Sequence, residues 1–99
     1  MTTSKKNPQT LEWQAMSRDH HLAPFSDYQQ LSDVGPRIIV KGEGVYVWDS
    51  EGNKILDGMA GLWCVAVGYG RDELADAAAA QMKELPFYNT FFMTAHPPV

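Results

Sequence analysis

Gly42-Glu43-Gly44-Val45-Tyr46-Val47-Trp48-Asp49-Ser50-Glu51-Gly52-Asn53-Lys54-Ile55-Leu56-Asp57 is the stretch from which the architecture is read. Val45-Tyr46-Val47-Trp48 has the β-branched and aromatic content of a strand. Gly42-Glu43-Gly44 on one side is a turn, and Ile38-Ile39-Val40 before it is a second β-branched run. On the other side, Asp49-Ser50-Glu51-Gly52-Asn53 supplies side chains that bond their own backbone and a glycine tolerant of positive φ. Lys54-Ile55-Leu56-Asp57 completes the reversal. The pattern predicts three short strands in an antiparallel meander.

Outward from this block, Gly58 to Gly70 is apolar and punctuated by glycine, unlike a regular helix or strand, and suggests backbone packed closely against something. Arg71 to Leu85 predicts the best helix of the chain. Asp72 and Glu73 complement its dipole, Ala75 and Ala77 to Ala80 have the highest helix propensity, and Leu74, Ala78, Met82 and Leu85 share a face. Pro86 ends it, and Phe87-Tyr88-Asn89-Thr90-Phe91-Phe92-Met93 follows as an aromatic loop. Upstream, residues 1–8 read as a mobile tail ahead of a segment spanning 9–99. Thr10 reads as an N-cap for a short helix carrying Leu11, Trp13 and Met16 and ending near His20-His21. Segment 24–36, with Pro24, Ser26, Asp27, Gly35 and Pro36, reads as a connecting loop.

Ninety-nine residues make one small domain or one piece of a larger one. With 44% hydrophobic and 20% charged residues the composition is that of a globular protein, and a net charge of −4 argues against nucleic acid as a partner. Cys64, the single cysteine, excludes an intramolecular disulfide and points to a reducing, cytoplasmic setting. No apolar run follows Lys5-Lys6 as a secretory signal would require, and 58–70 is too short to span a bilayer. Three strands and two helices give no home to Trp63, Phe87, Tyr88, Phe91 and Phe92 together. The expectation is therefore a segment covered by more protein.

Candidate chemistry is sparse when spacing alone is considered. His20, His21 and His96 lack the convergent partners of a metal site, and His20-His21 suits the negative end of a helix dipole. Gly42-Glu43-Gly44 and Gly68-Tyr69-Gly70 each carry half of a dinucleotide-binding fingerprint and read as structural turns. Cys64, beside Trp63 in an apolar stretch, reads as buried and inert. Asp49, Glu51 and Asp57 read as turn-forming residues. These patterns describe a small mixed α/β segment with an apolar, aromatic surface and show no catalytic constellation.

Read as words, three stretches resemble the class III pyridoxal-phosphate-dependent aminotransferases, or ω-transaminases. Residues 42–57 resemble their N-terminal strand meander. Met59-Ala60-Gly61-Leu62-Trp63-Cys64-Val65 with Val67-Gly68-Tyr69-Gly70-Arg71 is similar to the next motif of the polyamine/amine:pyruvate branch. Leu85-Pro86-Phe87-Tyr88-Asn89-Thr90-Phe91-Phe92 with Thr94-Ala95-His96-Pro97-Pro98 resembles the segment after the first long helix. Asp19-His20-His21-Leu22 and Pro24-Phe25 match as well.

The resemblance implies the N-terminal part of a fold-type I aminotransferase, in the small domain leading towards the large cofactor domain. The complete enzyme would be a homodimer with its active sites at the subunit interface. It would pass the amino group of a primary amine or polyamine to pyridoxal 5'-phosphate and on to pyruvate. By the same resemblance Leu62 and Trp63 wall the substrate pocket, Phe25 stands at its mouth, and Phe91 reaches toward the partner subunit's site. The family's Schiff-base lysine, its acidic partner of the pyridine nitrogen, its ring-stacking aromatic, its phosphate-binding turn and its carboxylate-binding arginine match no position here. The 99-residue chain by itself is therefore expected to be inactive, with no catalytic, cofactor-binding or metal residue of its own. Ala66 stands where relatives commonly carry asparagine, which bears on substrate preference. The rival expectation is a non-catalytic interaction module, or decayed gene product, docking through residues 87–93.

Overall fold

The computed structural model describes residues 5–97. These divide into two compact units, with the boundary between Tyr69 and Gly70.

In the first unit, α1 spans Pro8–His20 and α2 spans Tyr28–Val34; β1 (Ile39–Glu43), β2 (Tyr46–Asp49) and β3 (Lys54–Leu56) follow. A short turn, α3, covers Ala60–Trp63. The strands form the expected antiparallel sheet in the order β1-β2-β3. Glu43 opposes Tyr46 and Gly42 opposes Val47; across the other edge, Val47 opposes Ile55 and Trp48 opposes Lys54. Directly opposed residues share a face, so Gly42, Val47 and Ile55 lie on one side, and Trp48 with Lys41 and Lys54 on the other. The second side is wet. Lys41 Nζ lies 4.8 Å from the Trp48 ring centroid and Lys54 Nζ lies 4.1 Å from that of Tyr46, cation–π contacts on an exposed surface. Val47, 9% exposed, is the one buried hydrophobic residue among those described.

Asp49 makes the β2–β3 turn. Its carboxylate accepts from the backbone N–H of Glu51 (3.0 Å) and of Asn53 (2.9 Å), and from Asn53 Nδ2. The Asn53 side chain and then its backbone N–H hold the Asp49 carboxyl below its ordinary value of 3.8.

Thr10 is not the N-cap of α1. Asn7 is: its side chain accepts from the Gln9 N–H at 2.9 Å, and Pro8 occupies the first helical position, where a missing N–H costs nothing. Pro8 thus belongs to the helix, and of the tail predicted for 1–8, residues 1–4 lie outside the described residues. Thr10 is instead buried at 3% exposure and donates to Ser50 Oγ at 2.6 Å, joining α1 to the β2–β3 turn. The apolar positions Leu11, Trp13 and Met16 face outward. Segment 24–36 is not a plain loop either. Asp27 caps the two-turn α2 by accepting from the N–H groups of Gln29 and Gln30, and Gly35 closes it at φ 83°. A Cβ at Gly35 would meet the Gln14 side chain at 2.6 Å, and Gln14 Nε2 donates to the Pro36 carbonyl, so this glycine is also where α1 and α2 close up.

The second unit holds α4, Asp72–Glu84, with Asp72 and Glu73 in its first turn and Lys83 in its last, as the dipole favours. Its Leu74 and Met82 are exposed. Beyond Pro86, Asn89 Oδ1 accepts from the Phe91 N–H at 3.0 Å and Thr94 Oγ1 donates to the Phe91 carbonyl. This small loop presents Phe91 and Phe92 edge to face, centroids 6.3 Å apart.

Candidate functional site

The apolar face of the sheet opens into a groove of about 900 Å³, with Val47, Ile55 and Ile39 along its floor and Phe25, Leu62 and Tyr69 around it. Such a volume, nearly all apolar in its lining, matches sites that hold the hydrocarbon part of a small molecule. Two of the four pocket residues expected from the sequence, Phe25 and Leu62, line it. Trp63, next in sequence to Leu62, stands outside the groove at 93% exposure. Phe91 lies in the second unit, 70% exposed.

A backbone feature links these residues. Among the described residues, six that are not glycine have positive φ: Phe25, Ala60, Leu62, Trp63, Phe92 and Met93. Each costs about 1–2 kcal/mol for an L-residue, because Cβ crowds the following carbonyl. Such strain persists where the surrounding structure imposes it, and it concentrates at functional sites. Three of the four expected pocket residues are in this set, and the fourth, Phe91, precedes Phe92. Sequence composition carries no signal for this, since none of the six is Gly, Asn or Asp.

The densest strain is in α3. Ala60, Gly61, Leu62 and Trp63 all have positive φ, so the segment is a single left-handed turn and no ordinary helix. It keeps hydrogen-bonded closure: Trp63 N–H donates to the Met59 carbonyl and Cys64 N–H to the Ala60 carbonyl, each at 2.8 Å. Asp57 holds it from below. Its Oδ2 accepts from the Gly61 N–H at 2.9 Å and from the Tyr69 hydroxyl, and its Oδ1 accepts from the Met59 N–H at 3.3 Å. Sequence reading placed Asp57 among turn-forming residues, which is right, and missed Tyr69. No local pattern joins residues twelve apart across an irregular stretch. Cys64 is exposed, contrary to expectation, because this turn carries the chain outward.

The hydrogen bond from Tyr69, then that from Gly61, lowers the Asp57 carboxyl below its ordinary 3.8. The same bond to Asp57, followed by partial burial, raises the Tyr69 phenol above its ordinary 10.0. A depressed carboxylate stabilises the turn above pH 3.8, and that support fades as pH falls through its lowered value. A raised phenol stabilises it below pH 10.0, and that support fades as pH rises through its higher value. Protection of the Gly61 amide from hydrogen exchange, corrected for intrinsic rate, is therefore expected to be flat between these limits and to fall at both ends. A profile that falls at neither end removes the pair as the source of the protection.

No lysine among the described residues suits covalent attachment of a carbonyl cofactor, which needs an amine desolvated in a pocket. Lys5, Lys41, Lys54 and Lys83 are exposed, and Lys6 is engaged by Gln14 Oε1 and the Val34 carbonyl. No group of three or more His, Cys, Asp or Glu side chains converges among the described residues.

A three-stranded meander, a strained apolar turn and a long helix followed by an aromatic loop define the N-terminal part of a fold-type I transaminase. The chain belongs to the class-III aminotransferase family, whose model matches residues 28–99. Members are pyridoxal-phosphate-dependent transferases. Over 99 residues the chain is 71% identical to the putrescine–pyruvate aminotransferase of Pseudomonas aeruginosa, covering all of this chain and 22% of that protein. Among solved structures, a thermostable (S)-enantioselective omega-transaminase from Thermomicrobium roseum superposes with a TM-score of 0.82 at 48% identity, over 97% of this chain and 21% of the other. The omega transaminase of Pseudomonas jessenii, solved in complex with PMP, matches with a TM-score of 0.77 at 36% identity, over 86% and 19%. The chain thus spans about a fifth of the length of the relatives it matches.

Proposed function

We propose that this chain is the N-terminal portion of an aminotransferase that moves the amino group of a primary amine or polyamine, putrescine-like, to pyruvate by way of pyridoxal phosphate. Its contribution is the apolar wall of the substrate pocket. Phe25 and Leu62 hold the carbon chain of the amine, while Trp63 and Phe91 meet parts of the site that the rest of a homodimer supplies. The observation that carries this reading is the groove at Phe25 and Leu62, where both residues adopt left-handed backbone. Its lining suits methylene groups, and the 71% identity to a putrescine–pyruvate aminotransferase supports an aliphatic amine as donor. Cofactor attachment and proton transfer fall to residues outside this chain, which alone is inactive. The single thiol, free and exposed, fits a reducing cytoplasm.

The test uses the complete protein with pyruvate and a series of linear primary amines, reading alanine formation. Truncating Leu62 to Ala is expected to raise KM for aliphatic amines about 5- to 10-fold, the worth of a few methylene contacts, with a smaller change in kcat. Absence of alanine with every amine, or a Leu62→Ala protein of unaltered amine preference, overturns the reading.

A further inference from the structure

Both ends of the left-handed turn are tied to the sheet through one side-chain pair. Asp57 sits at the end of β3, its N–H donating to the Val45 carbonyl at 2.9 Å. Tyr69 is bound to the β1–β2 turn: its N–H donates to the Gly44 carbonyl at 2.8 Å, and its carbonyl accepts from the Gly44 N–H at 3.1 Å. The ring lies on Gly42, where an added Cβ would stand 2.7 Å from Tyr69 Cγ. The hydroxyl then reaches Asp57 Oδ2, the same oxygen that accepts from the Gly61 N–H. Gly61 is enclosed in turn, since a Cβ there would meet Val65 Cγ2 at 2.9 Å and the Tyr69 hydroxyl at 3.1 Å.

We propose that the Asp57–Tyr69 pair is a positioning device that locks the left-handed turn Ala60–Trp63, holds Leu62 in the wall of the groove, and so sets the length of amine carbon chain the site accepts. This rests on the function proposed above. Neither residue reacts; they act through the turn. Ala60, Leu62 and Trp63 each relax on leaving positive φ. The hydrogen bonds at Asp57 oppose that relaxation together with the closing backbone bonds from Leu62, Trp63, Cys64 and Val65 to the Met59 and Ala60 carbonyls. Without the lock the turn rewinds and Leu62 leaves the wall. The groove then loses its limit on chain length rather than its apolar character.

The experiment uses the complete protein and three variants: Tyr69→Phe, Asp57→Asn and Asp57→Ala. Two quantities are read, the ratio of kcat/KM for a long over a short linear primary amine, and hydrogen exchange at the Gly61 amide. Tyr69→Phe removes one oxygen and keeps the ring on Gly42. It is expected to speed Gly61 exchange and to change the long-to-short ratio about tenfold, chiefly through KM, as loss of a charge-assisted hydrogen bond warrants. Asp57→Asn keeps a carbonyl oxygen for the Gly61 N–H and is expected to recover part of both effects, whereas Asp57→Ala recovers neither. If Asp57→Ala does not fold, the other two variants still decide. Unchanged exchange in Tyr69→Phe overturns the lock. Faster exchange with an unaltered amine ratio overturns its role in selectivity. Absence of transfer by the unsubstituted protein overturns the functional reading itself, and Gly61 exchange then judges the lock alone.

Discussion

Residues 1–99 purified alone, supplied with pyridoxal phosphate, a primary amine and pyruvate, are expected to form no alanine above the protein-free rate and to retain no cofactor absorbance after dialysis. Aminotransferase rates exceed uncatalysed ones by on the order of 10⁶-fold or more, so the expected loss is complete in practice. Its cause is the state of the amines. Lys41 and Lys54 are exposed and lie over the Trp48 and Tyr46 rings, Lys41 also pairs with Glu43 at 3.5 Å, and Lys6 is occupied by α1 and the end of α2. None faces the groove. The same chain is expected to melt without a sharp transition. Ordering each residue costs about 1–2 kcal/mol in backbone entropy, and Val47 is the only buried hydrophobic side chain among the described residues. Heating followed by circular dichroism checks this. A steep transition, or cofactor that survives dialysis, contradicts the assignment of the wall to one partner and the chemistry to another.

Replacing Gly42 by Val in the complete protein is expected to be among the most damaging single changes in this segment. The new Cβ would stand 2.7 Å from Cγ and 2.8 Å from Cδ1 of the Tyr69 ring, and that ring cannot move freely because the Tyr69 backbone is paired with Gly44. Overpacking of this kind costs about 1–3 kcal/mol. Here it also pulls the hydroxyl from Asp57, so faster exchange at Gly61 is expected to accompany the lowered denaturation midpoint. A double-mutant cycle with Tyr69→Ala isolates the cause, since neighbours in contact couple and distant ones add. Removing the ring should make Gly42→Val much less damaging. Strict additivity would show that the close approach of ring and strand is not what position 42 protects.

How much of this was legible beforehand differs by element. The meander was plain, because the β-branched and aromatic content of Val45–Trp48 and the side-chain chemistry of Asp49–Asn53 are local properties. The start of α1 was misplaced since Thr10 and Asn7 are both capping residues. Asn7 prevails because Pro8 behind it is preset for the first turn. The shortness of α2 hid it among Pro24, Gly35 and Pro36, although Asp27 and Gly35 are proper start and stop signals. Leu62 and Phe25 were named from family resemblance, and the structure places them on one groove. Resemblance alone does not explain why Leu62 points there.

The order of the strands, the long helix and the apolar character of the groove follow from the amino acids themselves, because turn residues, helix propensity and β-branched or aromatic content act over a few neighbouring positions. The left-handed course of Ala60–Trp63 was decided only by the tertiary structure. Alanine, leucine and tryptophan do not choose positive φ unaided. They hold it here because Asp57, at the end of β3, and Tyr69, paired with the β1–β2 turn and twelve residues further along the chain, meet beneath the Gly61 amide.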